Sequence, residues 1–286
     1  MPDDGGAVQG AAAAGEAREV PFRGGGFRPR PSRAVSAATL LGLIAVWEWG
    51  ACRSGLAEAL ACAPIISPLV LPAPSEALAA LGDLWRSGDL ALHLGASLRR
   101  LLLGFALGAS AGVAVGLMIG LSSLARGALG PVVAAVFPVP KIALLPLFII
   151  WFGIGEASKV GLIAFGVFFP VVIATYGGVD GVDRTLVRMG QSFGLSRRSI
   201  VAKIILPGAL PAILSGFRIA SAIAIILIVA AELIAAEVGI GAYIQIAGSL
   251  FATDQLIAGV AVLSALGLTV SALIGWAERR LLRWRQ

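Results

Sequence analysis

Very few side chains in this chain have the chemistry for a metal site or a covalent reaction. The 286 residues include one histidine, His93, and two cysteines, Cys52 and Cys62. A tetrahedral zinc site takes mostly Cys and His ligands, and a catalytic site needs clustered His, Asp or Ser. We therefore expect no catalytic residue and no metal site. The two cysteines either pair in a disulfide on an oxidising side or stay two small apolar side chains.

Lys141 is the residue best suited to recognise a solute. It lies in an apolar segment with four prolines, Pro131, Pro138, Pro140 and Pro146. Proline removes a backbone donor and kinks a helix, and kinked segments at membrane depth often line a cavity. A buried cation is costly in lipid unless it faces water or a partner. Lys141 therefore either contacts an anionic substrate on a translocation path, pairs with Glu48 or Glu232, or snorkels to the interface.

Two acidic residues lie near the ends of apolar segments. Glu232 ends the fifth segment and is the second candidate for the translocation path. Glu156 follows the turn residues Gly153 and Gly155. We expect both carboxylates to lie at the outer interface.

A basic, polar stretch of about 30 residues, 179–207, could contact a partner. Its pattern predicts a short helix over 184–193, a break at Gly194, and a second short helix from Ser196 to Ile205. Pro207 would then open the next apolar segment. The stretch either forms a plug for a partner's groove or lies on anionic lipid.

Composition determines which elements must position these residues. The chain is 58% hydrophobic and 13% charged, with mean hydropathy +0.93, whereas soluble domains carry about a quarter charged residues. Long continuous apolar runs exclude an outer-membrane barrel and indicate a polytopic all-α membrane protein. The net charge of +6 lies between the spans, so it indicates topology and not nucleic-acid binding. Six spans are predicted, at 35–52, 97–121, 129–151, 159–178, 210–231 and 256–277.

The distribution of Arg and Lys predicts that both termini are cytoplasmic. Residues 1–33 read as a disordered cytoplasmic tail and 278–286 as a basic one. The pair Arg99–Arg100 departs from this pattern, and it either snorkels to the outer interface or packs inside the protein. A short amphipathic helix from Ser75 to Trp85 is expected along that interface.

The second span carries glycines four residues apart. On a helix this spacing forms one smooth ridge that permits close backbone packing in lipid. The ridge either slides during transport or packs statically against a neighbouring helix. Its members are Gly104, Gly108, Gly112, Gly116 and Gly120.

The stretch 188–207 resembles the loop of the integral-membrane subunits of binding-protein-dependent ABC importers, which reads E-A-A, three residues, G, nine residues, I, one residue, L-P. Its latter part matches Gly194, Ile204, Leu206 and Pro207, whereas Arg188, Met189 and Gly190 stand at the E-A-A positions. Segments such as PVPKIALLPLFIIWFGIGEASKV and VDRTLVRMGQSFGLSR are similar to the nitrate/sulfonate/taurine subgroup. The resemblance covers roughly 70–281.

The resemblance implies a type I importer permease in the bacterial cytoplasmic (inner) membrane, which is not an enzyme. It implies an outer-loop region at 34–92 with the first helix, a transmembrane domain at 93–277, and a coupling loop at 180–207. Expected partners are ABC ATPase subunits, a periplasmic or lipoprotein substrate-binding protein, a second permease copy and the lipid bilayer. The chain has no G-x-x-x-x-G-K-[ST] loop, so ATP would bind the partner and no cofactor is expected here.

The expected solute is a small anion such as nitrate, a sulfonate or taurine. An ion-coupled secondary transporter is the alternative. It would show inverted repeats and intramembrane acids.

Overall fold

The computed structural model describes residues 33–51, 67 and 69–282. The predicted tail 1–33 lies outside this part of the chain except for Arg33, and so do Cys52, Cys62 and residues 283–286. The described residues form helices, turns and irregular segments without any strand.

Eleven α-helices follow one another along the described residues. They are α1 (Arg33–Ala51), α2 (Pro74–Arg86), α3 (Asp89–Leu121), α4 (Ser123–Val136), α5 (Leu145–Phe152), α6 (Glu156–Asp180), α7 (Arg184–Ser192), α8 (Arg197–Ile200), α9 (Leu206–Ala235), α10 (Ile240–Ser249) and α11 (Thr253–Leu281). A 3₁₀ turn at Lys141–Leu144 precedes α5, and a π-helical turn at Val201–Ile205 joins α8 to α9.

Within the described residues, five stretches of helix are long and apolar enough to cross a membrane, and the count is six if α4 and α5 form one span. The axes of that pair differ by 92°. The third segment is therefore broken, where the sequence predicted a single kinked helix. The break falls at 137–140, where Pro138 and Pro140 remove backbone donors and disfavour helical geometry in the residues before them.

The glycine ridge of α3 faces α6. A β-carbon added at Gly104 would come within 2.6 Å of Ile163 Cβ, and one added at Gly120 within 2.7 Å of Val179 Cβ. Residue numbers increase in the same direction along the contact on both helices, so α3 and α6 run parallel. Their backbones approach closely only because these positions lack side chains.

On its other face α6 packs against α9. A β-carbon at Gly178 would lie 2.9 Å from that of Ala212. The central core consists of apolar side chains from α3, α5, α6, α9 and α11, including Leu101, Leu145, Leu162, Ile228 and Leu266. The helix α6 is therefore sandwiched between α3 and α9.

Besides α7, two helices of the described residues lie outside the candidate spans, one predicted and one missed. The interfacial helix predicted from Ser75 to Trp85 is present as α2, and the Ala73 N–H donates to the Glu76 carboxylate at 3.2 Å. The missed helix is α10, a ten-residue element between α9 and α11. Its buried residues are small or β-branched, so its sequence merges with the apolar segments on either side.

Candidate functional site

The basic stretch begins with a well-capped helix, α7. Asp183 Oδ1 accepts the Thr185 N–H at 2.7 Å, and this hydrogen bond lowers the pKa of the Asp183 carboxyl. The helix ends at Ser192, and Gly194 follows with φ +70°. This left-handed backbone favours glycine, which agrees with the break predicted at Gly194.

The second helix of this stretch differs from its prediction. Ser196 caps it, since its hydroxyl accepts the Ser199 N–H at 3.3 Å. The predicted helix was expected to end at Ile205. Instead, α8 continues through the π-helical turn into α9 without a break. Residues 197–235 form one helical run of 39 residues. Pro207 lies in its interior, where the first turn of α9 tolerates it.

The helix α7 folds back onto the π-helical turn through a single small residue. Gly190 is buried, and a β-carbon there would lie 2.8 Å from Ile204 Cδ1. The same stretch exposes Arg188 and three large apolar side chains, Leu186, Met189 and Phe193. Gly194 is exposed, whereas Leu206 and Pro207 are half-buried beside Ile204. The candidate loop residues thus divide into an exposed set and a packed set.

Lys141 lies at the break between α4 and α5. Its ammonium donates to the Phe137 carbonyl and lies 4.9 Å from the Phe137 ring centroid and 5.6 Å from that of Phe169. No carboxylate oxygen within the described residues is within 4.0 Å of it. The structure therefore pairs Lys141 with carbonyl and aromatic groups.

The two acids proposed as partners for Lys141 bind elsewhere. Glu48 accepts hydrogen bonds from the backbone N–H and the hydroxyl of Ser75, at 3.1 and 2.8 Å. Glu232 binds Arg100 and Ser97. Neither alternative pairing is found.

The second candidate path residue, Glu232, is buried in an ion-pair network. Arg100 Nη1 donates to its carboxylate at 2.7 Å, and Ser97 Oγ lies 2.8 Å from both of its oxygens. Gly241 N–H donates to it at 2.9 Å. The side chain of Glu232 is 0% exposed. The carboxylate is therefore enclosed by protein, close to the end of α9.

The same network fixes the connection between α9 and α10. Arg100 Nη1 also donates to the Val238 carbonyl at 2.6 Å, and Ser97 Oγ accepts the Ile240 N–H at 2.9 Å. His93 Nδ1 lies 3.1 Å from the Gly239 nitrogen. His93, Ser97 and Arg100 follow an i, i+4, i+7 spacing on one face of α3. This spacing is a sequence signal that the three side chains share one face of α3, although it does not identify their partners on other helices.

A second carboxylate, that of Glu156, binds the other edge of the Arg100 guanidinium. Its Nε lies 2.9 Å from Glu156 Oε2, and its Nη2 lies 2.5 Å from Glu156 Oε1. The Arg100 side chain is 5% exposed, whereas that of Glu156 is 51% exposed. The pair Arg99–Arg100 was expected either to snorkel to the interface or to pack inside the protein. Arg100 packs inside the protein.

We call the end of the helices that carries this network the distal end. It comprises the beginnings of α3 and α6 and the end of α9. The stretch α7–α8 adjoins the opposite ends of α6 and α9. The two candidate regions therefore lie at opposite ends of the same helices.

The sequence profile for the inner membrane component of binding-protein-dependent transport systems matches residues 108–283. The taurine transport system permease protein TauC of Escherichia coli (strain K12) is 40% identical over 255 residues, covering 87% of this chain and 89% of that protein. The putative aliphatic sulfonates transport permease protein SsuC of Bacillus subtilis (strain 168) is 38% identical over 221 residues, covering 77% and 80%.

The fold is also that of solved importer subunits. An inward-facing structure of the MetNI methionine ABC transporter matches with a TM-score of 0.60 at 16% identity, covering 68% of this chain and 97% of the other. An amino acid ABC transporter crystallised with histidines matches with a TM-score of 0.55 at 20% identity, covering 70% and 97%. The profile and the relatives together show that this multi-pass chain belongs to the family of inner membrane components of binding-protein-dependent transport systems, whose members are transport subunits and not enzymes.

Proposed function

We propose that this chain forms the translocation path for a small anion, with sulfonates as the first class to test. The relatives named for taurine and aliphatic sulfonates support this solute class. The observation that carries the proposal is the position of Lys141 at the break of the third span, as a cation that has no carboxylate partner among the described residues. Such a cation attracts an anion, and a broken helix suits a cavity wall.

The network geometry assigns Glu232 a structural role within this proposal. Its carboxylate already accepts hydrogen bonds from three residues, and it has no exposed surface to offer a solute. Lys141 remains the path residue in the proposed transmembrane domain 93–277.

In the proposed mechanism, the stretch α7–α8 docks on a partner ATPase. The exposed face provides apolar anchors, Met189 and Phe193, with the basic side chain of Arg188 beside them. Because Arg188 stands where the family loop carries an acid, we expect an acidic group on the cognate ATPase. The packed residues Gly190, Ile204, Leu206 and Pro207 hold this face in place, and Gly194 sets the turn. ATP binds that partner, and this chain carries no cofactor.

A second copy of the chain and the lipid bilayer cover the remaining apolar surface in this proposal. Side chains such as Ile150, Ile154 and Leu268 are more than 70% exposed in the single chain. Exposed apolar surface of this extent belongs in lipid or against another subunit. An extracytoplasmic binding protein would deliver the solute at the distal end.

Reconstituted transport tests the proposal. Proteoliposomes containing the permease, its ATPase and its binding protein are loaded with ATP, and uptake of labelled taurine and methanesulfonate is measured. Lys141→Met should lower uptake at least about tenfold, since a mid-membrane charge contributes several kcal/mol, and Lys141→Arg should retain part of it. Wild-type uptake by Lys141→Met would remove Lys141 from the path. Uptake that persists without ATP under a proton gradient would favour the ion-coupled transporter.

A further inference from the structure

We propose that Arg100 forms an anion-accepting subsite at the distal end, with Glu156 as a displaceable counter-ion. The anion is a sulfonate or carboxylate group whose two oxygens replace those of Glu156 on the guanidinium. This inference rests on the proposed function only in taking the transported solute to be an anion. The argument depends on the unequal attachment of the two carboxylates that bind Arg100.

One of the two carboxylates is fixed. Glu232 is 0% exposed and accepts hydrogen bonds from Arg100, Ser97 and the Gly241 backbone. Releasing it would leave a buried charge and several buried donors unpaired, which is strongly unfavourable. The Nη1 side of Arg100 therefore stays anchored to Glu232 and to the Val238 carbonyl.

The other carboxylate can leave. Glu156 is half exposed, and within the described residues its side chain makes hydrogen bonds only to Arg100. It is the first residue of α6 and follows a turn in which Gly153 has φ +80°. Rotation of its side chain into water breaks its hydrogen bonds to Arg100 and weakens its electrostatic attraction to Lys159 and Arg99.

The edge of Arg100 that Glu156 occupies matches an anion with two oxygens. Nε and Nη2 donate side by side to the two carboxylate oxygens, which is the two-pronged geometry that guanidinium offers to oxyanions. Replacing a carboxylate by a sulfonate leaves the charge of the cluster unchanged. Lys159, 3% exposed and bound to the Gly155 carbonyl at 3.0 Å, adds a second buried positive charge nearby.

Competition by Glu156 would keep the subsite weak, as a transport pathway requires. A solute must bind well enough to enter and weakly enough to leave. The apparent affinity falls in proportion to the fraction of molecules whose site is free. If Glu156 occupies Arg100 in about nine molecules of ten, its removal strengthens anion binding about tenfold.

Binding measurements on the full-length permease in nanodiscs test this subsite. The probe is methanesulfonate in a Tris chloride buffer, which contains no carboxylate or sulfonate to compete with it, and its dissociation constant is measured by ligand-observed NMR. Glu156→Gln should bind about tenfold more tightly than wild type, and Glu156→Asp should move in the same direction. Adding Arg100→Lys to Glu156→Gln should abolish the gain, because lysine keeps the charge but loses the two-pronged edge.

The matched control is Glu237→Gln, which removes an equal charge from an exposed position in the connection after α9. It should leave methanesulfonate binding unchanged. Affinity in Glu156→Gln equal to or weaker than wild type, in protein with normal thermal unfolding, would overturn the subsite. The same holds if Glu237→Gln gains as much as Glu156→Gln. If uptake assays reveal a neutral solute while Glu156-dependent binding persists, the proposed function fails and the subsite stands.

Discussion

Gly190 and Ile204 pack so closely that a β-carbon on Gly190 would lie 2.8 Å from Ile204 Cδ1. This contact joins α7 to the π-helical turn, and through that turn to α9. The next atoms beyond it, on Ile200 and Leu195, would lie at 3.4 and 3.5 Å. Position 190 therefore has little room for any side chain larger than the hydrogen of glycine.

The effect of a substitution at Gly190 on transport should depend on the size of the new side chain. Gly190→Ala meets only the movable end of an isoleucine, so we expect uptake within about twofold of wild type, whereas Gly190→Leu should cost about 1–3 kcal/mol of overpacking and displace α7. The measurement is uptake per permease molecule recovered from the membrane, together with ATPase activity stimulated by the loaded binding protein. Full activity of Gly190→Leu would contradict a packing role for this contact.

Substitutions at Gly194 should act through the backbone. A β-carbon at Gly194 would meet nothing within 4 Å, so its φ of +70° is the only constraint. Asparagine tolerates this region, whereas a β-branched residue does so poorly and proline cannot adopt it. We expect Gly194→Asn to transport nearly normally and Gly194→Val to transport poorly. Gly194→Pro should be inactive although it is present in the membrane. Equal uptake by all three variants in the proteoliposome assay would show that the turn is dispensable.

These two glycines illustrate what the sequence could predict. Gly194 was recognised as a break from its position between two amphipathic stretches, and the structure gives it the expected left-handed backbone. The continuity of α8 with α9 was not recognised, because Pro207 reads as a helix start. A proline in the first turn of a helix looks the same in sequence whether or not another turn precedes it.

The Arg100 network shows a different limit. Arg100 and Glu232 are 132 residues apart in the chain, and nothing local indicates that they meet. The apolar pattern placed both near the ends of spans; Glu232 is three residues from the end of α9, whereas Arg100 lies eleven residues after the start of α3. Their burial depends on the parallel packing of α3 with α6, which hydropathy does not determine. The kink predicted at Pro138 and Pro140 has a local cause, but the sequence did not show that the helix would break there and turn by 92°.

Loss of Arg100 should be far more harmful than loss of an exposed arginine. Arg100→Gln leaves Glu232 buried without its counter-ion, and breaking such a pair costs about 3–5 kcal/mol. The double change Arg100→Gln with Glu232→Gln should recover part of that loss. Unfolding midpoints in one detergent measure the effect. Arg126→Gln, which breaks an ion pair with the half-exposed Asp180, is the control and should cost about 1 kcal/mol or less. Comparable losses in Arg100→Gln and Arg126→Gln would refute the burial argument.

The buried hydroxyl of Thr175 should destabilise the folded protein. Thr175 is 0% exposed, and its Oγ1 has no hydrogen-bond partner in the described structure. A buried unsatisfied hydroxyl costs about 1–3 kcal/mol, and valine has nearly the same shape. Thr175→Val should therefore raise the unfolding free energy by about 1 kcal/mol. Thr269→Val, at an exposed threonine bonded to the Ala265 carbonyl at 2.7 Å, should change little. A lower midpoint for Thr175→Val would indicate that the hydroxyl has a bound partner.

The uninterrupted helix from Arg197 to Ala235 has a mechanical consequence. At about 1.5 Å per residue its 39 residues span about 58 Å, from the stretch that faces the proposed ATPase to a point three residues beyond Glu232. If the run moves as one body, it acts as a lever arm. A tilt of about 5° at one end moves the other by about 5 Å, close to the rise of one helical turn. Because Glu232 ties this arm to Arg100, such a stroke would carry α3 and the distal connection with it.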